Sequence, residues 1–450
     1  MAKENVSNSP DNWANHTGMK RNIKTILLSA GLGSRMAPLT THHIPKPMFP
    51  LGFGVPLIEY WIQKSIQSGI SDITMNLCVL GNTIREYFKD GSHLGASISY
   101  AEEDIPGGTF GGVCKMVMGN TTPPVYPGEK IPQILPFNGS TVFVISGDIV
   151  SNFDAEQLEE LYRIHKQKGA AFTMILTPVP WEERGEFGTV QLQNPETLSF
   201  PFSQSGPIID FREKDPNSPS NLNNASIYII ETDLIKALLP FRTPAKPGIQ
   251  NPFYDFGKHV FPAMLNKLDY IKLPKDFLLW GIQYDGLWFD VGRKRDYLAV
   301  SNHVLEGKIN TPASCQKEQT GYRLEIDHYL TRYSINGPVL IGNDCVIHDG
   351  MEVGPNVVVG DGWKIGKNVK ITNSILWPRY DFYTSNDTKL DSQEWEKRDL
   401  HEIADGVKID SAIIVGGKIT EDISGKVVDI NESGEILLYD LDWVPDMTRA

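Results

Sequence analysis

The sequence predicts an α/β fold in two parts. A doubly wound sheet domain comes first, and a left-handed parallel β-helix follows it. Through residues 23–305, buried apolar runs alternate with segments of helical period, as strands and their crossover helices do. From Ile335 onward, aliphatic residues return at every sixth position, the period of one short strand of a solenoid with about three such strands to the coil. The first strand runs directly into a loop with two glycines, the arrangement that opens a ligand-binding α/β sheet.

Each element follows from local chemistry. The run Ile23 to Ala30 reads as a buried strand. Leu57 to Ile66 has helical spacing, with Pro56 at its start and Gly69 past its end. Strands are expected at 73–77, 97–101, 141–146 and 172–177, and helices at 82–88, 155–167 and 296–305. The proline- and glycine-rich stretch 121–140 breaks the alternation and reads as a surface insertion. Residues 1–22 are polar and read as a disordered tail, and 306–334 as a linker.

The solenoid spans 335–426. Ile335, Ile341, Ile347, Val353, Val359, Ile365 and Ile371 form one register, and Val339, Cys345, Met351, Val357, Trp363, Val369 and Ile375 a second. The period is interrupted at 377–402 and returns at Ile403, Ile409 and Val415, so about three coils are expected. The acidic tail 427–450 is expected to cap the end.

Composition excludes several classes. The chain has 450 residues, enough for more than one core, and a net charge of −13. That charge argues against nucleic acid and anionic membrane as partners but leaves room for a local basic pocket. No apolar run of about 18 residues is present, as a membrane span would need, and the N-terminus lacks the apolar core of a signal segment. Cys78, Cys114, Cys315 and Cys345 are scattered, without zinc-ligand spacing, and suggest reduced thiols and a cytoplasmic protein.

The chemistry centres on Leu28-Ser29-Ala30-Gly31-Leu32-Gly33-Ser34-Arg35-Met36, followed by Pro45-Lys46-Pro47. Bare backbone N–H groups and two fixed cations converge there, as a bound triphosphate requires. No Gly-Lys-Ser/Thr follows, so this is not a P-loop, and Met36 replaces the third glycine of a dinucleotide fingerprint. The whole string resembles the N-terminal signature of the sugar-phosphate nucleotidyltransferases, L-A-A-G-x-G-T-R-L-x-P-L-T followed by P-K-P. The β-helix and the Pro-Lys-Pro-Met string bring mannose-1-phosphate guanylyltransferases and UTP–glucose-1-phosphate uridylyltransferases nearest.

The resemblance implies a Rossmann-like nucleotidyltransferase domain and continues along the chain. Gly108-Thr109-Phe110-Gly111 resembles the family's L-G-T-A-G-A loop, which packs against the nucleotide. Phe110 stands for its usual alanine, a change expected to alter the pocket. Asp148 of Ser146-Gly147-Asp148 and Asp290 of Trp288-Phe289-Asp290-Val291-Gly292 match the family's two Mg²⁺ ligands. Glu213 and Lys214 match F-x-E-K-P, Asn224 matches N-x-G-I-Y, and Phe187-Gly188 the Y-G pair of the sugar pocket. Ser226 and Arg293 depart from the family's glycine and threonine.

By this resemblance Arg35, Lys46 and Lys214 are the catalytic cations. Leu28, Ala30, Gly31, Gly33, Ser34, Arg35, Lys46, Gly108 and Thr109 bind the nucleotide. Gly188, Glu213, Lys214 and Asn224 bind the sugar phosphate. The implied partners are an NTP, GTP or UTP, and a sugar 1-phosphate, with Mg²⁺ as cofactor and a homo-oligomeric assembly. A sugar 1-phosphate is already an anion at neutral pH, so the reaction needs positioning and charge neutralisation, not a general base. Two alternatives stay open. Hexapeptide acyltransferases share the solenoid but use a histidine base, and here His348 falls at a turn position. Non-catalytic regulatory relatives share the two-domain plan.

Overall fold

The computed structural model describes residues 23–42, 44–52, 54–103, 107–119, 137–243, 253–274, 276–309, 333–342, 345–378, 401–430 and 435–444. The expected tail at 1–22, nearly all of the 121–140 insertion and of the linker, the core of the 377–402 interruption, and Cys315 lie outside the described residues.

The first part alternates as its apolar pattern requires. β1 (Ile23–Leu28) leads to α1 (Leu57–Gln67), β2 (Asp72–Leu77), α2 (Gly81–Phe88), β3 (Ser97–Glu102), α3 (Gly108–Met118) and β4 (Thr141–Ser146). β5 (Ile149–Ser151), α4 (Ala155–Lys168), β6 (Phe172–Pro178), β7 (Gly188–Leu192), β8 (Phe202–Glu213) and β9 (Leu222–Glu231) follow. β10 (Leu279–Tyr284), β11 (Trp288–Asp290) and α5 (Lys294–Leu305) complete it. Helix α4 shows how local chemistry sets the ends. The Asp154 carboxylate accepts from Gln157 N at 2.8 Å, the Gln157 side chain returns the bond, and Gly169 closes the helix with φ 63°.

The strands order as β8–β10–β6–β9–β4–β1–β2–β3. β3, β2, β1 and β4 are parallel, but β9 is antiparallel to both β4 and β6. The sheet is therefore mixed, a departure from a simple doubly wound plan. The carboxyl ends of β1 and β4, where the loops of interest leave, lie side by side, with Leu28 opposite Ser146.

The second part is a parallel β-helix of three sheets. Tyr333 pairs with Met351, Val339 with Val357 and Val346 with Lys364, each one coil further along. Most of both aliphatic registers points inward and forms one core that includes Trp363. Ile375, Ile413 and Val415 face the first part instead, with Leu376 and Ile414 taking the inward positions. Five strands stack in one sheet, more than three coils require, because Ile423–Ser424 extends it beyond the last clear hexad. Lys426–Ile430 then pairs antiparallel with Ile436–Asp440, which closes that end.

The two parts share a core. Leu340, Val358, Ile375, Trp377, Ile413 and Val427 are continuous with the cluster beneath β1 and α1. Trp377 meets Phe49 edge-on at 5.2 Å, and Phe49 packs on Tyr297 at 5.3 Å. Among the described residues no helix is long and apolar enough to cross a membrane.

Candidate active site

β1 delivers the chain into the glycine loop, and β2 pins its first residue. Ser29 N donates to Asn76 Oδ1 at 2.7 Å and Ser29 Oγ to Asn76 O at 2.5 Å. Gly33 has φ 60°, and its carbonyl accepts from Met36 N at 2.8 Å and Thr40 Oγ1 at 2.9 Å. A Cβ on Gly33 would stand 2.9 Å from Thr40 Cγ2, so the turn admits only glycine without strain. Gly31 is different: it is exposed, and no protein atom lies within 4 Å of a Cβ built on it. Leu28, Ala30 and Gly31 line a cleft with Lys46, Gly108, Thr109 and Asp148. Ser34 and Arg35 form a short 3₁₀ turn at its edge, with the Arg35 guanidinium over Gly292.

Lys46 and Asp148 line this cleft, and Asp290 stands beside them. Pro45 sets the extended backbone from which the Lys46–Met48 turn starts, and Lys46 is only 9% exposed. Its ammonium is paired with Asp148 Oδ2 and lies 4.0 Å from Asp290 Oδ1. The carboxylates are neighbours because β11 pairs with β5: Asp290 stands opposite Ile149, and Val291 N donates to Asp148 O at 3.1 Å.

Their environments push their acidities apart. Burial acts to raise the Asp148 pKa, but the Lys46 ammonium and the Ser146 hydroxyl outweigh it and hold it below the usual carboxylate range. Burial, followed by repulsion from Asp148, pushes Asp290 up to about 6, against the pull of Lys46 and Arg35. Asp290 Oδ1 is buried and accepts no hydrogen bond among the described residues. An orphaned carboxylate oxygen beside a second carboxylate suits a hard cation. The described residues contain no cluster of three or more metal-ligating side chains, so such an ion would draw its other ligands from substrate and water.

The far wall is a chain of buried polar bonds. Asn76 Nδ2 donates to Glu103 Oε1 at 3.0 Å, and Glu103 Oε2 accepts from Gly107 N at 2.6 Å. Burial raises the Glu103 pKa, with those two donors opposing. Gly108 has φ 73°, and a Cβ there would meet Tyr254 O at 2.5 Å. Tyr254 O in turn accepts from Phe110 N and Gly111 N at the start of α3. Phe110 does not line the cleft as expected. It is fully buried, edge-on to Phe253 and Phe256 at 5.5 and 5.8 Å, because a phenyl ring here finds an aromatic core behind the loop.

The remaining predicted residues gather beside this cleft and are absent from its lining. Glu213 stands opposite Gly188, whose Cβ would lie 2.9 Å from Glu213 Oε2. Burial, then the Asp255 charge, raises the Glu213 pKa. Asp255 Oδ2 accepts from Thr109 Oγ1 at 3.2 Å, which joins the two groups. Lys214 and Ser226 both adopt left-handed backbone, with φ 51° and 58°, so Ser226 takes the conformation a glycine would. Asn224 Nδ2 donates to Tyr228 Oη at 2.9 Å, and its Oδ1 accepts from Ser226 N at 3.1 Å. Arg293 pairs with Glu186 at the surface.

Sequence reasoning missed Asn76, Glu103, Tyr254 and Asp255. A signal existed for the first: a polar residue inside the apolar strand Ile73-Thr74-Met75-Asn76-Leu77, where a buried amide requires partners. His348 is exposed on the solenoid, and among the described residues it belongs to no cluster of metal-ligating side chains.

Known proteins resemble this chain in sequence. A UTP--glucose-1-phosphate uridylyltransferase of Synechocystis sp. is 28% identical over 337 residues, covering 74% of this chain and 76% of that protein. A mannose-1-phosphate guanylyltransferase of Mycobacterium tuberculosis is 26% identical over 332 residues, covering 74% and 77%. A glucose-1-phosphate adenylyltransferase of Desulfitobacterium hafniense is 26% identical over 338 residues, covering 73% and 76%. The family model described as Nucleotidyl transferase matches residues 24–307, which contain the glycine loop, Lys46, both aspartates and the Glu213–Asn224 group, and the chain therefore belongs to the nucleotidyl transferase family.

Proposed function

We propose that this protein transfers a nucleotidyl group from an NTP to a sugar 1-phosphate, releasing pyrophosphate and forming an NDP-sugar. The observation that carries the reading is the buried Lys46 ammonium between Asp148 and Asp290, beside a loop that ends in the exposed Arg35. Such a site concentrates fixed cations where two phosphate-bearing anions must meet.

The roles follow from position. Backbone N–H groups of Gly31 to Ser34 cradle the triphosphate, with Leu28, Ala30, Gly108 and Thr109 against the nucleoside. Arg35 neutralises the departing pyrophosphate. Lys46 steadies the α-phosphate as charge develops there. Lys214 binds the sugar phosphate, with Gly188, Glu213 and Asn224 around the sugar. Asp148 and Asp290 would hold Mg²⁺, which supplies charge neutralisation of the phosphate oxygens when bound. We take GDP-mannose or UDP-glucose as the product, in line with the guanylyltransferase and uridylyltransferase among the relatives. The adenylyltransferase among them keeps an adenine nucleotide as a competing outcome of the test. Pyrophosphate release from ATP, GTP, UTP and CTP, each with mannose, glucose or N-acetylglucosamine 1-phosphate, tests this. The expected result is turnover with one base and one sugar far above the rest.

A further inference from the structure

Lys294 is the first residue of α5, is only 1% exposed, and takes no part in the chemistry above. An ammonium in the first helical turn opposes the helix dipole, and burial adds a desolvation cost. Its three donors are matched by three backbone carbonyls. Nζ donates to Arg35 O at 3.2 Å, Ala37 O at 2.8 Å and Trp443 O at 2.6 Å. Two of these belong to the loop that carries Arg35, and the third to the segment that leaves the β-helix.

That segment is held from both sides. Arg295 binds Asp442 through two bonds of 2.7 Å, Leu441 N donates to Gly425 O at 3.3 Å, and the Trp443 ring packs on Tyr439 at 4.6 Å. The end of the β-helix is thus connected to the phosphate loop through one side chain.

We propose that Lys294 is a positioning residue that anchors the Arg35–Ala37 backbone to the segment Asp440–Val444, so that nucleotide affinity depends on the end of the β-helix. This rests on the nucleotidyl-transfer reading. If the segment supports the loop, nucleotide bound to the loop must stabilise the segment equally.

The test compares wild type with Lys294→Met and Asp442→Ala by equilibrium binding of each of ATP, GTP, UTP and CTP with Mg²⁺, by steady-state kinetics, and by amide hydrogen exchange. For Lys294→Met the expected result is a rise of about 10-fold in Kd and KM for the preferred NTP, within the usual range of site-to-site coupling. The KM for sugar 1-phosphate should hold within about twofold, whereas kcat should fall, because Arg35 faces the departing pyrophosphate. Asp442→Ala, an exposed change that cannot cost the core, should give a smaller rise of the same pattern. Nucleotide should slow exchange at the Leu441 and Trp443 amides in wild type and not in Lys294→Met. Unchanged nucleotide affinity in folded Lys294→Met overturns the proposal, as does a parallel rise in both KM values. If Lys294→Met does not fold, unchanged nucleotide KM in Asp442→Ala with no nucleotide protection of Leu441 in wild type overturns it. Wild type that binds none of the nucleotides overturns the underlying reading as well, an outcome distinct from both.

Discussion

The Lys46 ammonium is ion-paired with Asp148 where little water reaches either group, the two side chains being 11% and 22% exposed. Burial works against the Asp148 charge, and the Lys46 ammonium is the chief group that holds it. Of the two carboxylates, Asp290 is the protonation-sensitive one.

Replacing Lys46 should therefore act on chemistry more than on binding. Lys46→Ala is expected to lower kcat about 10²-fold or more, the usual loss when a transition-state charge partner is removed. Steady-state rates at saturating substrate measure it.

Asp290 predicts a specific pH response. Its folded pKa, about 6, is raised above the unfolded value of 3.8. The folded state therefore holds the extra proton, and stability from this group falls as pH rises from about 4 to about 6. Without Mg²⁺, Asp290→Asn should melt higher than wild type at pH 7.5 and lose that advantage at pH 4, while its activity is lost at both. Melting curves at the two pH values decide the sign.

Glu103 accepts two donors at once, from Asn76 and Gly107. Glu103→Gln brings an amide donor against one of them and should destabilise by about 1–3 kcal/mol. Because the bonds join the loops after β1 and β3 through Asn76 of β2, nucleotide KM should rise with it. Denaturant unfolding and nucleotide titration report the two effects.

Trp377 tests whether the two parts unfold together. It is 3% exposed, and Trp377→Ala should cost about 3–5 kcal/mol by leaving a cavity against Phe49. Calorimetry should show one transition in wild type and a separated β-helix transition in the variant.

The parts of the molecule that were legible in the sequence are those with a clean period or fixed spacing. The six-residue repeat marked most inward faces of the β-helix but not at Ile375 and Ile413, which pack on the first part. The strand-to-glycine step marked the loop holding Arg35. β8 and β9 were not legible. Their registers shift between Ile208 and Asp210 and between Asn224 and Tyr228, and Lys214 and Ser226 sit in left-handed conformations, so a period of two does not persist. Asn76 and Glu103 were hidden for another reason. Their value lies in bonds to loops far away in sequence, which spacing along the chain does not record.

The most direct measurement is pyrophosphate release with Mg²⁺, GTP or UTP, and mannose or glucose 1-phosphate, run on wild type and Lys46→Ala together. The account predicts one NDP-sugar formed per pyrophosphate by wild type and about a hundredfold less by the variant. No pyrophosphate from any pair with folded wild type, or equal rates from both proteins, would contradict it.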